Sequence, residues 1–145
     1  MHILLHTDVE QPLRKVADGF NEKLFRTLAP PFPRLKLLRF DGSKKGDWVA
    51  MELHFGPLKQ TWVSEIVANG QKEKEWYFID EGRKLPKPLQ HWHHHHRLLA
   101  LPGGGTRIVD DITYSTGNKL LDLAIYPALL AQFLYRKPVY KKFFR

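Results

Sequence analysis

The sequence predicts an α+β fold in which a strongly curved antiparallel sheet of about seven strands wraps around a long C-terminal helix, with two short helices after the first strand. Three observations lead there. Apolar residues recur at helical intervals before Ala29, then switch to a period of two from Leu35 to Tyr114. Turn-forming stretches, DGSKKGD, GPLK, NGQK, EGRKLPKP and LPGGGT, divide that second region into about six runs joined as hairpins. The last stretch, NKLLDLAIYPALLAQFLYRKPVYKKFFR, is apolar on most of its helical sides and broad enough to lie across the mouth of a curved sheet.

In chain order, residues 2–6 suit a short strand. Thr7 and Glu10 have the spacing of a capping box, and Val9, Leu13, Val16, Ala17 and Phe20 follow at helical spacing, which predicts a helix starting near Asp8. NEKLFRTL is predicted as a second short helix, capped by Asn21 and ended by the prolines of APPFP. In residues 48–55 the odd positions, Val49, Met51, Leu53 and Phe55, form the inward face. In residues 61–67 the side carrying Trp62, Ser64 and Ile66 is favoured as inward, because the other side would bury Glu65. In the last segment Pro127 is expected to break or kink the helix and Pro138 to bend it again. Its inward stripe is approximated by Leu123, Tyr126, Leu130, Phe133, Leu134 and Lys137.

A chain of 145 residues, 43% hydrophobic and 12% aromatic, is the size of one domain, here taken as residues 1–145, and buries roughly two thirds of its unfolded surface. Cysteine is absent, which excludes disulfides and thiolate metal sites and fits a reducing compartment. MHILLH is too short for a signal peptide, and no apolar run is long enough to span a bilayer, so a cytoplasmic location without integral membrane association is expected. The 23 Lys and Arg against 15 Asp and Glu give a formal charge of +8, which raises the prior for anionic partners. No acid follows Asp122, while Arg136, Lys137, Lys141, Lys142 and Arg145 gather at the end among Tyr140, Phe143 and Phe144. That tail reads as a surface for acidic membrane or nucleic acid or, by preference, as a solvated last turn whose cations complement the helix dipole.

The polar chemistry is concentrated in QHWHHHHRLLALPGGGTRIVDDITY, residues 90–114. This histidine run lies mid-chain and belongs to the fold, unlike a purification tag. On a strand, Trp92, His94, His96 and Leu98 face one way and His91, His93, His95 and Arg97 the other. A tight turn pairing Leu101 with Gly105 would set Leu98 opposite Ile108, His96 opposite Asp110, His94 opposite Ile112 and Trp92 opposite Tyr114. One face then collects the large apolar groups of the hairpin and a His96–Asp110 pair, in which imidazole and carboxylate satisfy each other. His94, His96 and Asp110 form a conceivable three-ligand metal set, but H-x-H on a strand is not diagnostic, and the favoured reading is structural or pocket-polar with no metal. No nucleophile elbow, Walker loop or dinucleotide fingerprint is present, and PGGGT reads as a hairpin, not a phosphate cradle.

Several of these stretches also resemble a known group. APPF after the short helices, Trp62, FID at 78–80, WHHHHRL at 92–98, GTRIVDDITY at 105–114 and FLYR at 133–136 occur in the order seen in bacterial ligand-binding proteins of the SRPBCC superfamily, some labelled cell-division-inhibitor-like. That superfamily includes START lipid-binding domains, polyketide cyclases and the birch pollen allergen type. The resemblance covers nearly the whole chain and implies the helix-grip fold, with a deep cavity between sheet and helix for a hydrophobic or amphipathic small molecule. It implies polar positions at Trp92, His94, His96, Asp110, Tyr114 and Arg136. EGRKLPKPLQH replaces a shorter glycine-proline-phenylalanine turn of the group, at one edge of that cavity.

The leading functional reading is therefore a binder or carrier of a lipid-like, polyketide-like or aromatic molecule, with no cofactor. Its expected apolar walls are Met51, Leu53, Phe55, Phe78, Leu98, Ile112 and, from the long helix, Leu130, with the polar positions as anchors and Arg136 suited to a carboxylate or phosphate head group. The alternative is a cyclase or hydrolase type of enzyme using His96, polarised by Asp110, as general base. A second alternative is a basic module docking through residues 136–145, although no nucleic-acid partner is expected. The sequence leaves the oligomeric state open.

Overall fold

A computed structural model describes all 145 residues. The elements are β1 (His2–Val9), α1 (Leu13–Asp18), α2 (Glu22–Leu28), β2 (Arg34–Phe40), β3 (Trp48–Phe55), β4 (Leu58–Lys72), β5 (Glu75–Lys84), β6 (His91–Ala100), β7 (Thr106–Ser115) and α3 (Lys119–Phe143). One antiparallel sheet has the strand order β1-β7-β6-β5-β4-β3-β2, so the six later strands form a meander and β1 returns to flank the last of them. The α+β architecture read from the sequence is the one observed.

The predicted helix start near Asp8 is replaced by strand. Residues 2–9 pair continuously with β7, from His2 opposite Thr113 to Val9 opposite Thr106, and Ile3, Thr7 and Val9 are buried by alternation. Eight consecutive ladder positions outweigh one local cap, so Thr7 serves the sheet, and α1 begins after Pro12 with no side-chain cap. Asn21 caps α2 as expected, its side chain accepting from the Leu24 amide at 3.1 Å.

NGQK, predicted as a turn, lies within β4, and the reversal falls at Glu73 and Lys74. Gly70 is there for close approach: a Cβ would lie 2.5 Å from the ring of Tyr77 opposite it. Register shifts between Val63 and Ser64 and between Ile66 and Ala68 mark bulges, which bend a sheet and increase its twist. LPGGGT forms the β6–β7 hairpin. Leu101 N–H donates to the Gly105 carbonyl at 2.8 Å, Gly104 has φ +93°, and a Cβ on Gly105 would meet the Val9 carbonyl oxygen at 2.5 Å. The register of this hairpin is the predicted one.

α3 is one continuous helix, so the break expected at Pro127 does not occur. Both prolines are exposed and about three turns apart on the outer face. Each removes the donor to a carbonyl four residues back, on Leu123 and Leu134, which are 59% and 43% exposed, so water can replace the lost bond. The same exposure corrects the predicted stripe: the inward side runs through Tyr126, Leu129, Phe133, Arg136 and Tyr140. Leucines populate both sides of α3, so apolar spacing alone could not set its rotation. The start is fixed by Asn118 Oδ1, accepting from the Leu120 and Leu121 amides at 2.9 and 3.1 Å, and by Tyr114, whose hydroxyl donates to the Asp122 carbonyl at 2.7 Å.

Buried apolar residues fall into two clusters. One joins Val9, Val16, Leu24, Leu28, Leu98 and Ile108 to Tyr140 and Phe144 near the end of α3. The other joins Ile3, Trp92, Ile112 and Tyr114 to Phe133. Tyr140 and Phe144 are thus core residues, and Lys137 Nζ donates to the His6 carbonyl at 2.8 Å, which leaves Lys141, Lys142 and Arg145 as the outward cations of the tail. No helix is long and apolar enough to cross a membrane.

An exposed proline inside a helix, where it removes a backbone hydrogen bond, is a net cost. Pro138→Ala is expected to raise stability by roughly 1–2 kcal/mol, read as an increased urea midpoint. A loss of stability would show that the proline shapes a contact the helix needs.

Candidate functional site

Between the two clusters lies a cavity of about 160 Å³, room for about ten water molecules. Its apolar wall comes from α2, β2 and β3, with Leu24, Leu35, Val49, Met51 and Leu53 prominent. Its polar end comes from inward positions of β5 and β6 and the facing side of α3: Asp80, Trp92, His94, His96, Gln132 and Arg136. Strand alternation puts Phe78 and Asp80 on the same face of β5, and Trp92, His94 and His96 on the same face of β6.

His96 is opposite Asp110 on β7, as predicted, but its hydrogen bond runs elsewhere. His96 Nε2 contacts Asp80 Oδ2 at 2.6 Å, and His94 Nε2 contacts Asp110 Oδ1 at 2.8 Å. The expected His96–Asp110 pair is therefore two diagonal pairs. An imidazole is long enough to reach a carboxylate one step along the neighbouring strand, and stacking holds it there. Phe78 stacks on His96 at 4.0 Å between centroids, His96 on His94 at 3.5 Å, and Phe133 meets His94 edge-on at 5.4 Å.

Burial pushes the His96 imidazole down to about 4, helped by His94 and opposed by Asp80 and Asp110. It is neutral at pH 7. Burial alone would raise Asp80, but the hydrogen bond and charge of His96, with His94 and Arg136, outweigh it and hold the carboxyl below its usual value. For Asp110 burial is likewise outweighed, by the His94 hydrogen bond and then by His94 and Arg136 charge. Ionised carboxylates only accept, so the Nε2 of each histidine carries the proton and donates it.

Asp80, His94 and His96 are the residues that could hold a metal, with donor atoms within 4.8 Å of one another. The two rings are only 26° from parallel, so their lone pairs run side by side and do not converge on one point. His96 Nε2 is also already engaged with Asp80. As folded, the cluster is a hydrogen-bonded stack and not a tetrahedral cradle.

Of the residues singled out in the sequence, Met51, Leu53, Phe78, Trp92, His94, His96 and Arg136 line the cavity. Asp110 does not line it and acts by holding His94. Leu98, Ile112, Tyr114 and Leu130 belong to the packed clusters, and the Tyr114 hydroxyl is occupied by Asp122. Phe55 packs edge-on against Phe32 at 5.9 Å and does not reach the cavity. An inward face is thus broader than the cavity, because cores fill part of it. Sequence reasoning missed Asp80, Gln132 and Tyr140. Asp80 was accessible, since it follows Phe78 by two on a strand already assigned an inward Phe78.

The buried histidine fixes a pH dependence. An unfolded histidine titrates near 6.5, and His96 in the fold near 4. Between those values the unfolded chain binds a proton that the folded chain refuses, so stability falls as pH drops through that window. The depressed Asp80 and Asp110 add stability that is lost at still lower pH. Urea unfolding is expected to show roughly 2–3 kcal/mol lost between pH 7 and 4.5. A flat profile would contradict a neutral His96.

No protein-family model matches the chain, and no curated protein does. Solved structures do. A hypothetical protein from Helicobacter pylori is similar over 100% of this chain and 88% of its own, at 14% identity and TM-score 0.69. Protein Ms6760 from Mycobacterium smegmatis is similar over 96% and 90%, at 16% identity and TM-score 0.61. Ara h 8.0201 is similar over 96% of each chain, at 12% identity and TM-score 0.61. Identities this low carry the architecture and nothing of activity. With its curved seven-stranded sheet and single long closing helix, the chain has a helix-grip, START-like fold.

Proposed function

We propose that the whole chain acts as one binding unit that holds or carries a hydrophobic or amphipathic small molecule, lipid-like, polyketide-like or aromatic, in the space between sheet and α3. The observation that carries this reading is a cavity with one apolar wall and a cluster of ionisable groups at the opposite end. Such a space rewards a guest for each apolar contact removed from water, at roughly 25 cal/mol per Å², while a few polar groups set its orientation. The lack of cysteine suits action in the cytoplasm.

The enzymatic alternative needs a general base. His96 would be that base, with Asp80 and not Asp110 as its partner. At about 4 its basicity is far below what proton abstraction at neutral pH favours. The stack supports orientation better than proton transfer.

Native mass spectrometry of the purified protein, followed by solvent extraction, is expected to release an apolar or amphipathic compound. Stripped protein should take up an apolar fluorophore. Met51→Trp, which fills the wall, should weaken that uptake at least about tenfold at a stability cost of about 1–3 kcal/mol. A bare protein that takes up no apolar probe would overturn the binding function.

A further inference from the structure

Two donor side chains at the polar end of the cavity, Arg136 and Tyr140, make no hydrogen bond to a carboxylate or carbonyl. Tyr140 is 1% exposed and lines the cavity, yet its hydroxyl has no hydrogen-bond partner. Arg136 stands one turn earlier on the same side of α3 and also lines the cavity. Its guanidinium carbon lies 4.5 Å over the Phe133 ring, and its approach to a carboxylate is 3.9 Å, to Asp110 Oδ1, beyond hydrogen-bond reach. The guanidinium lies close enough to donate toward the Tyr140 oxygen, which leaves the phenol proton without an acceptor, and burial keeps the phenol protonated.

Buried donors in native proteins normally find partners. Asp110 Oδ1 is taken by His94 and Asp80 Oδ2 by His96, and neither carboxylate makes a hydrogen bond to Arg136 or Tyr140. Arginine accepts nothing, and a phenol close to a guanidinium is best served as a donor. The missing group is therefore an acceptor, and a charged one is favoured because a planar guanidinium matches a carboxylate in bidentate fashion. Asp80 and Asp110 set the upper limit of that charge. Two carboxylates already stand at this end, Asp80 in the lining and Asp110 behind His94, so a dianion on Arg136 would meet repulsion that a monoanion meets at half strength.

We infer that Arg136 and Tyr140 form an oxyanion clamp for the carboxylate of a monocarboxylic amphiphile, whose tail extends along the apolar wall of β2 and β3. This inference rests on the binding function proposed above and names the class of its ligand.

Calorimetric titration of the unmodified protein with octanoate, octanol and octyl phosphate tests it without any substitution. Octanoate is expected to bind about tenfold or more tightly than either of the others. Arg136→Gln should abolish that advantage, so that octanoate binds no more tightly than octanol, and Tyr140→Phe should weaken octanoate by roughly threefold to tenfold. Thermal unfolding of both variants checks that the fold is retained. Equal affinity for octanol and octanoate in the unmodified protein would mean that water serves both donors, which overturns the clamp but leaves the cavity as a binding site. Octyl phosphate binding as tightly as octanoate would overturn the monoanion preference. If none of the three binds, the clamp fails, and the fluorophore uptake of stripped protein then decides whether the binding function fails with it.

Discussion

The constraint on which the rest of the molecule depends is that α3 is fastened to the sheet at two separated places. It packs chiefly on β1, β7 and α2, through Phe133 toward one end and Tyr140 and Phe144 toward the other. Strands β3 and β4 curve away under bulges and meet the cavity in place of the helix. Filling that space from the sheet side would require longer side chains than Val49, Met51 and Leu53, and from the helix side a larger residue than Leu129 or Gln132. The space follows from the way one continuous helix closes a bent sheet.

That geometry explains why buried charge is tolerated at one end only. Two carboxylates in a nearly dry setting would cost several kcal/mol each if left alone. Each has an imidazole N–H, and Arg136 adds a positive charge near both. The histidines are in turn held between Phe78, stacked on His96, and Phe133, edge-on to His94. Removing either imidazole would leave a buried carboxylate without its N–H donor. The histidine run is thus best understood as neutralisation and support of buried acids on the inner face. On the outer face His93 meets Glu81 at 3.3 Å, and His95 is lowered by burial and by Arg97.

The sheet was legible in the sequence because its signals reinforce one another. Alternation and the apolar matches of Trp92 with Tyr114 and Leu98 with Ile108 favour the register observed for β6 and β7, although the glycine-rich turn alone would also allow a one-residue slip. The rotation and continuity of α3 were not legible. Leu120, Leu123 and Leu134 face outward although nothing in their chemistry says so, and the prolines survive because their side of the helix faces water. The helix expected at Asp8 failed for a related reason: a cap is a local preference, and pairing with β7, nearly a hundred residues away, overrode it. The diagonal histidine pairs lie at a finer scale than register. Register fixes which Cα atoms are opposite; which carboxylate an imidazole reaches depends on rotamers and on the rings above and below it.

The two sides of the cavity divide the work of recognition. On the sheet, Asp80 and Asp110 each accept from an imidazole, so the inward polar groups of β5, β6 and β7 are paired with one another. On α3, Arg136 and Tyr140 present donors that the protein leaves open. The unsatisfied chemistry therefore resides on the element that closes the fold, and a guest supplying the acceptor would add a tie between α3 and its own contacts on the apolar wall. Ligand binding and closure of the helix over the sheet then draw on the same free energy, so occupancy stabilises the folded state in proportion to how far the ligand concentration exceeds its dissociation constant.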